Sequence, residues 1–79
     1  MEIVVYSKSG CGQCVFTKKF LKAQNIPFNE KRVDQNKQYL EEVEELGYQS
    51  LPVVGIDRED FFSGYDVKKL QSLVSRWQK

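Results

Sequence analysis

The chain has 79 residues, of which 41% are hydrophobic and 29% charged, and its formal net charge is +1. This composition is too apolar for a disordered chain, and the length suits one domain spanning residues 1–79. The balanced charge gives no reason to expect nucleic acid or a membrane surface as a partner. No apolar stretch approaches the roughly 20 residues that a membrane span needs, and no basic region or cleavage signal flanks the first apolar run. We expect a cytoplasmic protein that acts as a monomer.

The first part of the chain predicts a strand, a helix and a second strand. Residues 3–6 form a continuous β-branched and aromatic run, which is typical of a strand buried on both faces. From residue 12 to about residue 24 apolar residues recur at helical spacing, and Pro27 cannot continue that helix. Its apolar positions are Val15, Phe16, Phe20, Leu21 and Ala23. Residues 28–33 alternate between apolar and charged side chains and predict the second strand.

The second part of the chain predicts a helix, a hairpin and a closing helix. Residues 34–36 offer N-caps for a helix that Gly47 ends. Residues 53–56 and 61–62 are the strands of a hairpin, joined by a polar turn at residues 57–60. The apolar stripe of the last helix consists of Val67, Leu70, Leu73, Val74 and Trp77.

The resulting order, βαβαββα, predicts an α/β fold. The first βαβ unit should be parallel with a right-handed crossover. The hairpin then completes a four-stranded mixed sheet with helices on both faces. Such a sheet with three helices is the thioredoxin-like architecture in its minimal form.

Both cysteines lie three residues apart in Ser9-Gly10-Cys11-Gly12-Gln13-Cys14, between the first strand and the first helix. A C-x-x-C pair in this setting is typical of redox chemistry, and a reducing compartment favours catalytic thiols over a structural disulfide. Cys11 would lie at the helix N-cap or in the first turn, where unpaired N–H groups and the helix dipole favour a thiolate. Lys8 nearby would add to this effect, and together they would lower the pKa of Cys11.

Cys14 lies on the same helix face as Cys11, so its sulfur can close a disulfide with Cys11. It starts deeper in the helix, among apolar neighbours, and should stay protonated until it is needed. Cys11 would attack a partner disulfide and form a mixed disulfide. Cys14 would then attack the Cys11 sulfur, which releases the reduced partner.

Other interpretations of the cysteine pair are open. Two cysteines can be small buried hydrophobes, although Gly10 and Gly12 keep this site open. Half a zinc site is a second interpretation, but zinc takes four ligands and the chain has no histidine and no further cysteine. A metal or iron–sulfur cluster that bridges subunits through Cys11 would make the protein a cluster-binding or scaffold module.

Further motifs point to a known family. They are Tyr6-Ser7-Lys8, Thr17 after the cysteines in the pattern C-x-Q-C-x-x-T, Leu46-Gly47-Tyr48, Leu51-Pro52-Val53-Val54 and Phe62-Ser63-Gly64-Tyr65. With them the chain resembles, over essentially its whole length, the glutaredoxin-like redoxins and among them the NrdH-redoxins. The resemblance implies a thiol–disulfide oxidoreductase without a bound cofactor. It also implies electrons that come from NADPH through thioredoxin reductase and pass to class Ib ribonucleotide reductase.

The resemblance also implies roles for individual residues. Cys11 would be the nucleophile and Cys14 the resolving cysteine, and Pro52 matches a cis-proline that turns the Leu51 backbone toward the thiols. An ordinary turn proline before a strand is the alternative for Pro52. We expect no metal ligands. The expected partner surface comprises Lys8, Gly12, Gln13, Leu51, Pro52, Val53, Ser63, Gly64, Tyr65 and Asp66.

The chain departs from the NrdH pattern after the hairpin. Those redoxins usually have W-S-G-F-R-P-D where this chain has Phe-Ser-Gly-Tyr-Asp-Val-Lys at residues 62–68. The loop at residues 63–66 is also similar to the G-G-x-D loop with which glutaredoxins hold glutathione, and Lys8 matches a glutathione-binding lysine. Gly12 and Gln13, however, differ from the Pro-Tyr pair common in glutaredoxins. A glutathione-dependent glutaredoxin is therefore the alternative function.

Several single residues allow two interpretations. Asp66 could contact glutathione or a reductase, or cap the last helix. Tyr65 and Phe62 could form an exposed partner patch, although Phe61 and Phe62 should alternate so that one is core. We expect Trp77 to pack in the core. The glutamates at residues 41–45 are expected to form a solvated helix face. Gln13 could orient the active-site surface or be passive.

Overall fold

The computed structural model describes residues 2–57 and 59–77. Seven elements follow one another in the predicted order βαβαββα, which is confirmed. They are β1 (Ile3–Ser7), α1 (Gly12–Ala23), β2 (Asn29–Arg32), α2 (Lys37–Glu45), β3 (Val53–Ile56), β4 (Glu59–Ser63) and α3 (Val67–Trp77).

The four strands form one mixed sheet in the order β2-β1-β3-β4. β1 runs parallel to β2 and antiparallel to β3, and β3 pairs antiparallel with β4. Every residue of β1 is buried, because this strand lies inside the sheet and both of its faces are covered. The predicted thioredoxin-like fold is therefore confirmed.

The two faces of the sheet carry separate hydrophobic cores, as the alternation of side chains along a strand requires. In β1, Ile3 and Val5 point to one core, and Val4 and Tyr6 point to the other. The first core packs against α1 and α3 and contains Ile3, Val5, Leu21, Ile26, Val54, Ile56, Phe62, Leu70, Leu73 and Val74, with Trp77 at its edge. The second core packs against α2 and contains Val4, Tyr6, Val33, Val43 and Val53.

The ends of α2 follow from its flanking residues. The Asn36 side chain accepts a hydrogen bond from the Gln38 N–H at 2.9 Å, so Asn36 is the N-cap. At the other end Gly47 has a φ of +88°, which suits glycine, and its N–H donates to the Glu44 carbonyl. Within residues 2–57 and 59–77, no helix has the length and apolar character required to cross a membrane.

The hairpin differs from the prediction in the extent of its turn. β4 begins at Glu59, which pairs with Ile56, so the turn is shorter than the predicted residues 57–60. Arg58 of that turn lies outside the described residues. Gly55 is required beside β4, because a Cβ there would overlap the Phe61 ring.

Two other expectations are wrong. Val15 and Phe16 belong to the apolar pattern of α1, yet they are 43% and 56% exposed. The inward face of α1 consists instead of Cys14, Thr17 and Leu21. The glutamate run of α2 is not wholly solvated either, because Glu42 accepts a hydrogen bond from the Tyr6 hydroxyl at 2.6 Å.

Candidate active site

The cysteine pair lies where the loop after β1 enters α1. Cys11 and Cys14 form a disulfide with their Cα atoms 5.2 Å apart. Cys11 is the N-cap residue of α1, and its sulfur accepts a hydrogen bond from the Cys14 N–H at 3.1 Å. The predicted N-cap position of Cys11 is therefore confirmed. Negative charge on this sulfur would lie next to a helix N-terminus, where it is stabilised.

The two sulfur-bearing residues differ in access. Cys11 is half-buried, whereas Cys14 is only 1% exposed and lies on the inward face of α1. A partner sulfur can therefore approach Cys11 from solvent, while Cys14 can be reached only from Cys11.

The loop before β3 lies opposite the cysteines. The Leu51–Pro52 peptide bond is cis, as the resemblance implies, so the ordinary turn proline is wrong. The Leu51 carbonyl oxygen is 3.8 Å from the Cys11 sulfur, which carries no proton to donate while it is in the disulfide. The Pro52 carbonyl accepts a hydrogen bond from the Gly64 N–H at 2.8 Å, and Val53 pairs with Ser63. These contacts hold the loop between β4 and α3 beside the cis-proline loop.

Gln13 joins the cysteine motif to the same loop. Its side-chain oxygen accepts a hydrogen bond from the Tyr65 N–H at 3.4 Å, across 52 residues of sequence. Gly64 has a φ of +88°, and a Cβ there would lie 3.7 Å from that oxygen. Gln13 therefore connects the cysteine motif with the loop between β4 and α3.

An exposed aromatic pair lies next to this contact. The Phe16 and Tyr65 rings are 5.9 Å apart, and the residues are 56% and 39% exposed. Phe62 is 8% exposed and belongs to the first core, so the predicted Phe62–Tyr65 patch is wrong. Phe16 replaces it. The sequence could have predicted that Phe16 is exposed, because on a helix it lies about 200° around the axis from the buried Cys14.

Asp66 caps the closing helix. Its carboxylate accepts a hydrogen bond from the Lys69 N–H at 3.2 Å, and its carbonyl accepts one from the Leu70 N–H at 2.9 Å. This is the capping interpretation of Asp66, and it is confirmed.

Lys8 lies in the part of the site that borders α2. It is exposed and lines a groove of about 480 Å³. The groove is lined by Lys8, Val33, Leu40, Val43, Glu44, Tyr48, Gln49, Ser50 and Leu51. Leu51 therefore faces both this groove and the Cys11 sulfur.

Comparison with known proteins agrees with this arrangement. The glutaredoxin family model matches residues 3–61. A glutaredoxin-like protein NrdH from Lactococcus lactis subsp. cremoris is 40% identical over 73 residues, which cover 91% of this chain and 99% of that protein. The chain belongs to the glutaredoxin family, among its NrdH-like members. The chain is therefore a thiol–disulfide oxidoreductase, in which the Cys11–Cys14 pair is the redox-active disulfide.

Solved structures of glutaredoxin-family proteins superpose on the whole fold. NrdH-redoxin from Escherichia coli, a glutaredoxin-like protein with a thioredoxin-like activity profile, has a TM-score of 0.85 and 29% identity. The match covers 92% of this chain and 95% of that one. A glutaredoxin from Methanosarcina mazei has a TM-score of 0.79 and 28% identity, covering 92% of this chain and 77% of that one. The fold alone therefore does not separate the two kinds of redoxin.

A network of charged side chains holds the loop between β1 and α1, which carries Cys11. Arg32 donates hydrogen bonds to the Asp34 carboxylate and, at 2.6 Å, to the Ser9 hydroxyl. The Ser9 N–H donates to Asp34 at 3.2 Å. The hydrogen bond from Arg32 and those from Ser9 outweigh desolvation and hold the pKa of Asp34 well below its usual range. Asp34 therefore anchors the loop, and the N-cap of α2 is Asn36 alone.

A second network lies beneath the same loop. Glu30 accepts hydrogen bonds from the buried Ser7 hydroxyl at 2.6 Å and from Lys18 at 2.7 Å. Burial of Glu30 favours its neutral form, but these two bonds outweigh it and lower the pKa of Glu30. The end of β1 is thereby tied to both β2 and α1.

The described part of the chain, residues 2–57 and 59–77, holds no cluster of three or more His, Cys, Asp or Glu side chains placed to bind a metal ion.

Proposed function

We propose that the protein is an NrdH-type electron carrier, which accepts electrons from NADPH through thioredoxin reductase and delivers them to class Ib ribonucleotide reductase. The proposal is supported by the 40% identity to an NrdH protein and by the half-exposed Cys11 at a helix N-terminus. Turnover of such a dithiol needs a reducing compartment, so we place the carrier in the cytoplasm.

The cysteines would act in sequence. The Cys11 thiolate attacks one sulfur of the acceptor disulfide, which forms a mixed disulfide and releases the other acceptor sulfur as a thiolate. Cys14 then loses its proton to solvent and attacks the Cys11 sulfur. The Cys11–Cys14 bond forms, the bond to the acceptor breaks, and two electrons leave with the acceptor sulfur. The reductase returns two electrons to the disulfide by the reverse sequence.

One observation favours a protein partner over glutathione: two polar groups of the loop at residues 63–66 that a peptide could use already have partners within the chain. The Tyr65 N–H donates to Gln13, and the Asp66 carboxylate accepts from Lys69. A small peptide that used these groups would have to displace the existing hydrogen bonds. The exposed Phe16–Tyr65 pair beside them suits the apolar centre of a protein interface.

Glutathione-dependent turnover is the second candidate, and Lys8 supports it. Lys8 is an exposed cation that lines the same groove as Leu51, whose carbonyl lies beside the Cys11 sulfur. A small peptide with a carboxylate could lie in this groove with its sulfur at Cys11.

Two assays run side by side distinguish the candidates. NADPH oxidation is followed with thioredoxin reductase and, separately, with glutathione plus glutathione reductase, each with an oxidised protein as acceptor. The proposal predicts turnover with thioredoxin reductase alone. Turnover with glutathione alone would contradict it and establish the glutaredoxin alternative.

The variant Gln13→Ala sharpens this test. Loss of the side-chain oxygen frees the Tyr65 N–H for a ligand, so any residual turnover with glutathione should rise by a few fold. The matched control is Gln71→Ala, which removes an exposed glutamine side chain from α3 and leaves the Tyr65 contact intact. An equal or larger gain for Gln71→Ala would show that the Tyr65 contact does not exclude glutathione.

A further inference from the structure

One buried polar group near the site has no partner. Ser7 and Thr17 are both 0% exposed. The Ser7 hydroxyl donates to Glu30 at 2.6 Å. Among the side chains of residues 2–57 and 59–77, the Thr17 hydroxyl oxygen is the one buried polar atom without a hydrogen-bond partner. Groups of this kind are rare in native proteins because burying them unpaired is unfavourable, so this one calls for an explanation.

The position of Thr17 connects it with the resolving cysteine. Thr17 lies three residues after Cys14 in α1, and both belong to the inward face of the helix. Residues at this spacing are neighbours on a helix surface. Helical side chains also lean toward the N-terminus, so the Thr17 side chain lies over the turn that carries Cys14.

In the disulfide state the Thr17 hydroxyl makes no hydrogen bond to the Cys14 sulfur, although a disulfide sulfur can accept one, as the Cys11 sulfur does from the Cys14 N–H. The Cys14 sulfur carries neither a proton nor a negative charge in this state. After reduction it becomes a thiol, and it must become a thiolate when it attacks the mixed disulfide. That charge would develop at a residue only 1% exposed, where solvent cannot stabilise it.

We propose that the Thr17 hydroxyl is a positioning group for the resolving step, which donates a hydrogen bond to the Cys14 sulfur in the reduced and mixed-disulfide states. The inference rests on the proposed resolving role of Cys14. The hydroxyl keeps its own proton throughout, while the Cys14 proton goes to solvent and the electron pair of the broken bond leaves with the partner sulfur. The hydroxyl makes no such hydrogen bond in the disulfide state, so a hydrogen bond formed on reduction would favour the reduced protein.

The test follows both cysteines in one reaction. Reduced protein is mixed with a chromophoric aromatic disulfide, which releases one coloured thiolate when Cys11 attacks and a second when Cys14 resolves the mixed disulfide. Acid quenching and intact mass give the amount of mixed disulfide at each time. The variant Thr17→Val keeps the side-chain shape and removes the donor, and Thr17→Ser keeps the donor.

Thr17→Val should leave the first release unchanged and slow the second about tenfold, with accumulation of the mixed disulfide. The pH midpoint of the second release should rise. Thr17→Ser should restore both. The reduction potential of Thr17→Val should be more negative by about 30 mV, which is a tenfold change for a two-electron couple. Valine should not destabilise the oxidised protein, because it replaces an unpaired hydroxyl with a methyl group.

Three results would overturn the inference. One is a second release in Thr17→Val with the wild-type rate and pH midpoint. Another is equal slowing in Thr17→Val and Thr17→Ser, which would assign the effect to packing. The third is equal slowing in Leu21→Met, a packing control one turn further along the same helix face. Loss of the first release in the wild-type protein would instead contradict the proposed role of Cys11.

Discussion

The outward and inward faces of α1 each carry one of the two cysteines, and they differ in solvent exposure. The outward side presents the half-buried Cys11 sulfur and the exposed Phe16, whose ring pairs with Tyr65. The inward side presents Cys14 and Thr17, which are both buried. A disulfide exchange needs one step between molecules and one within the molecule. The helix separates these steps because the Cys11 sulfur is accessible to solvent and the Cys14 sulfur is buried.

The largest expected effect comes from exchanging the two cysteines for serine, one at a time. Cys11→Ser removes the accessible sulfur, so reduction of an acceptor protein should fall to the uncatalysed background. Cys14→Ser keeps the first attack and removes the second, so a mixed disulfide with the acceptor should accumulate. Non-reducing gels and intact mass measure both results. Full activity of Cys11→Ser would contradict the assignment of the first attack to Cys11.

A smaller effect is expected from the aromatic pair on the outward face. Phe16→Ala and Tyr65→Ala should each raise about fivefold the KM with which thioredoxin reductase uses this protein as its substrate. This change corresponds to a loss of ~1 kcal/mol of binding free energy. The rate with a small aromatic disulfide should not change, because that reagent needs no protein interface. Leu46→Ala is the matched control, since Leu46 is a 40% exposed apolar residue at the end of α2. An equal rise in KM for Leu46→Ala would mean that the aromatic pair is not the docking surface.

The smallest effect concerns the loop that carries the outward sulfur. The pKa of Asp34 is lowered in the folded protein by Arg32. Such a carboxylate adds stability that is present above its unfolded pKa of about 3.9 and is lost as the pH falls toward its folded pKa. Asp34→Asn should therefore lower the melting temperature slightly at neutral pH, and the difference from wild type should shrink on acidification. Glu41→Gln, on the exposed face of α2, is the control. A difference that grows below pH 4 would contradict this sign.

Local sequence signals predicted the order of the elements and the position of the cysteine pair well. The order of strands and helices, the disulfide spacing and the N-cap position of Cys11 all depend on periodicity and on contacts within one helical turn. The cis state of Pro52 came from the family resemblance, since nothing in its immediate sequence requires it.

The outward face was predicted less well, because its contacts join distant segments. Gln13 meets Tyr65 across 52 residues, and Arg32 reaches Ser9 across 23. Phe16 was assigned to the apolar stripe because hydrophobicity alone does not tell a core residue from an exposed interface residue. Its angular distance from Cys14 on the helix does tell them apart.

The most direct test of the division between the two faces is to identify the cysteine that reacts first. Reduced wild-type protein is mixed with one equivalent of a small aromatic disulfide, quenched with acid within the first turnover, digested and mapped by mass spectrometry. The account predicts that the reagent is found on Cys11, whose sulfur lies at the surface beside Leu51. Reagent found chiefly on Cys14 would contradict it, because the buried sulfur would then be the one that meets the partner.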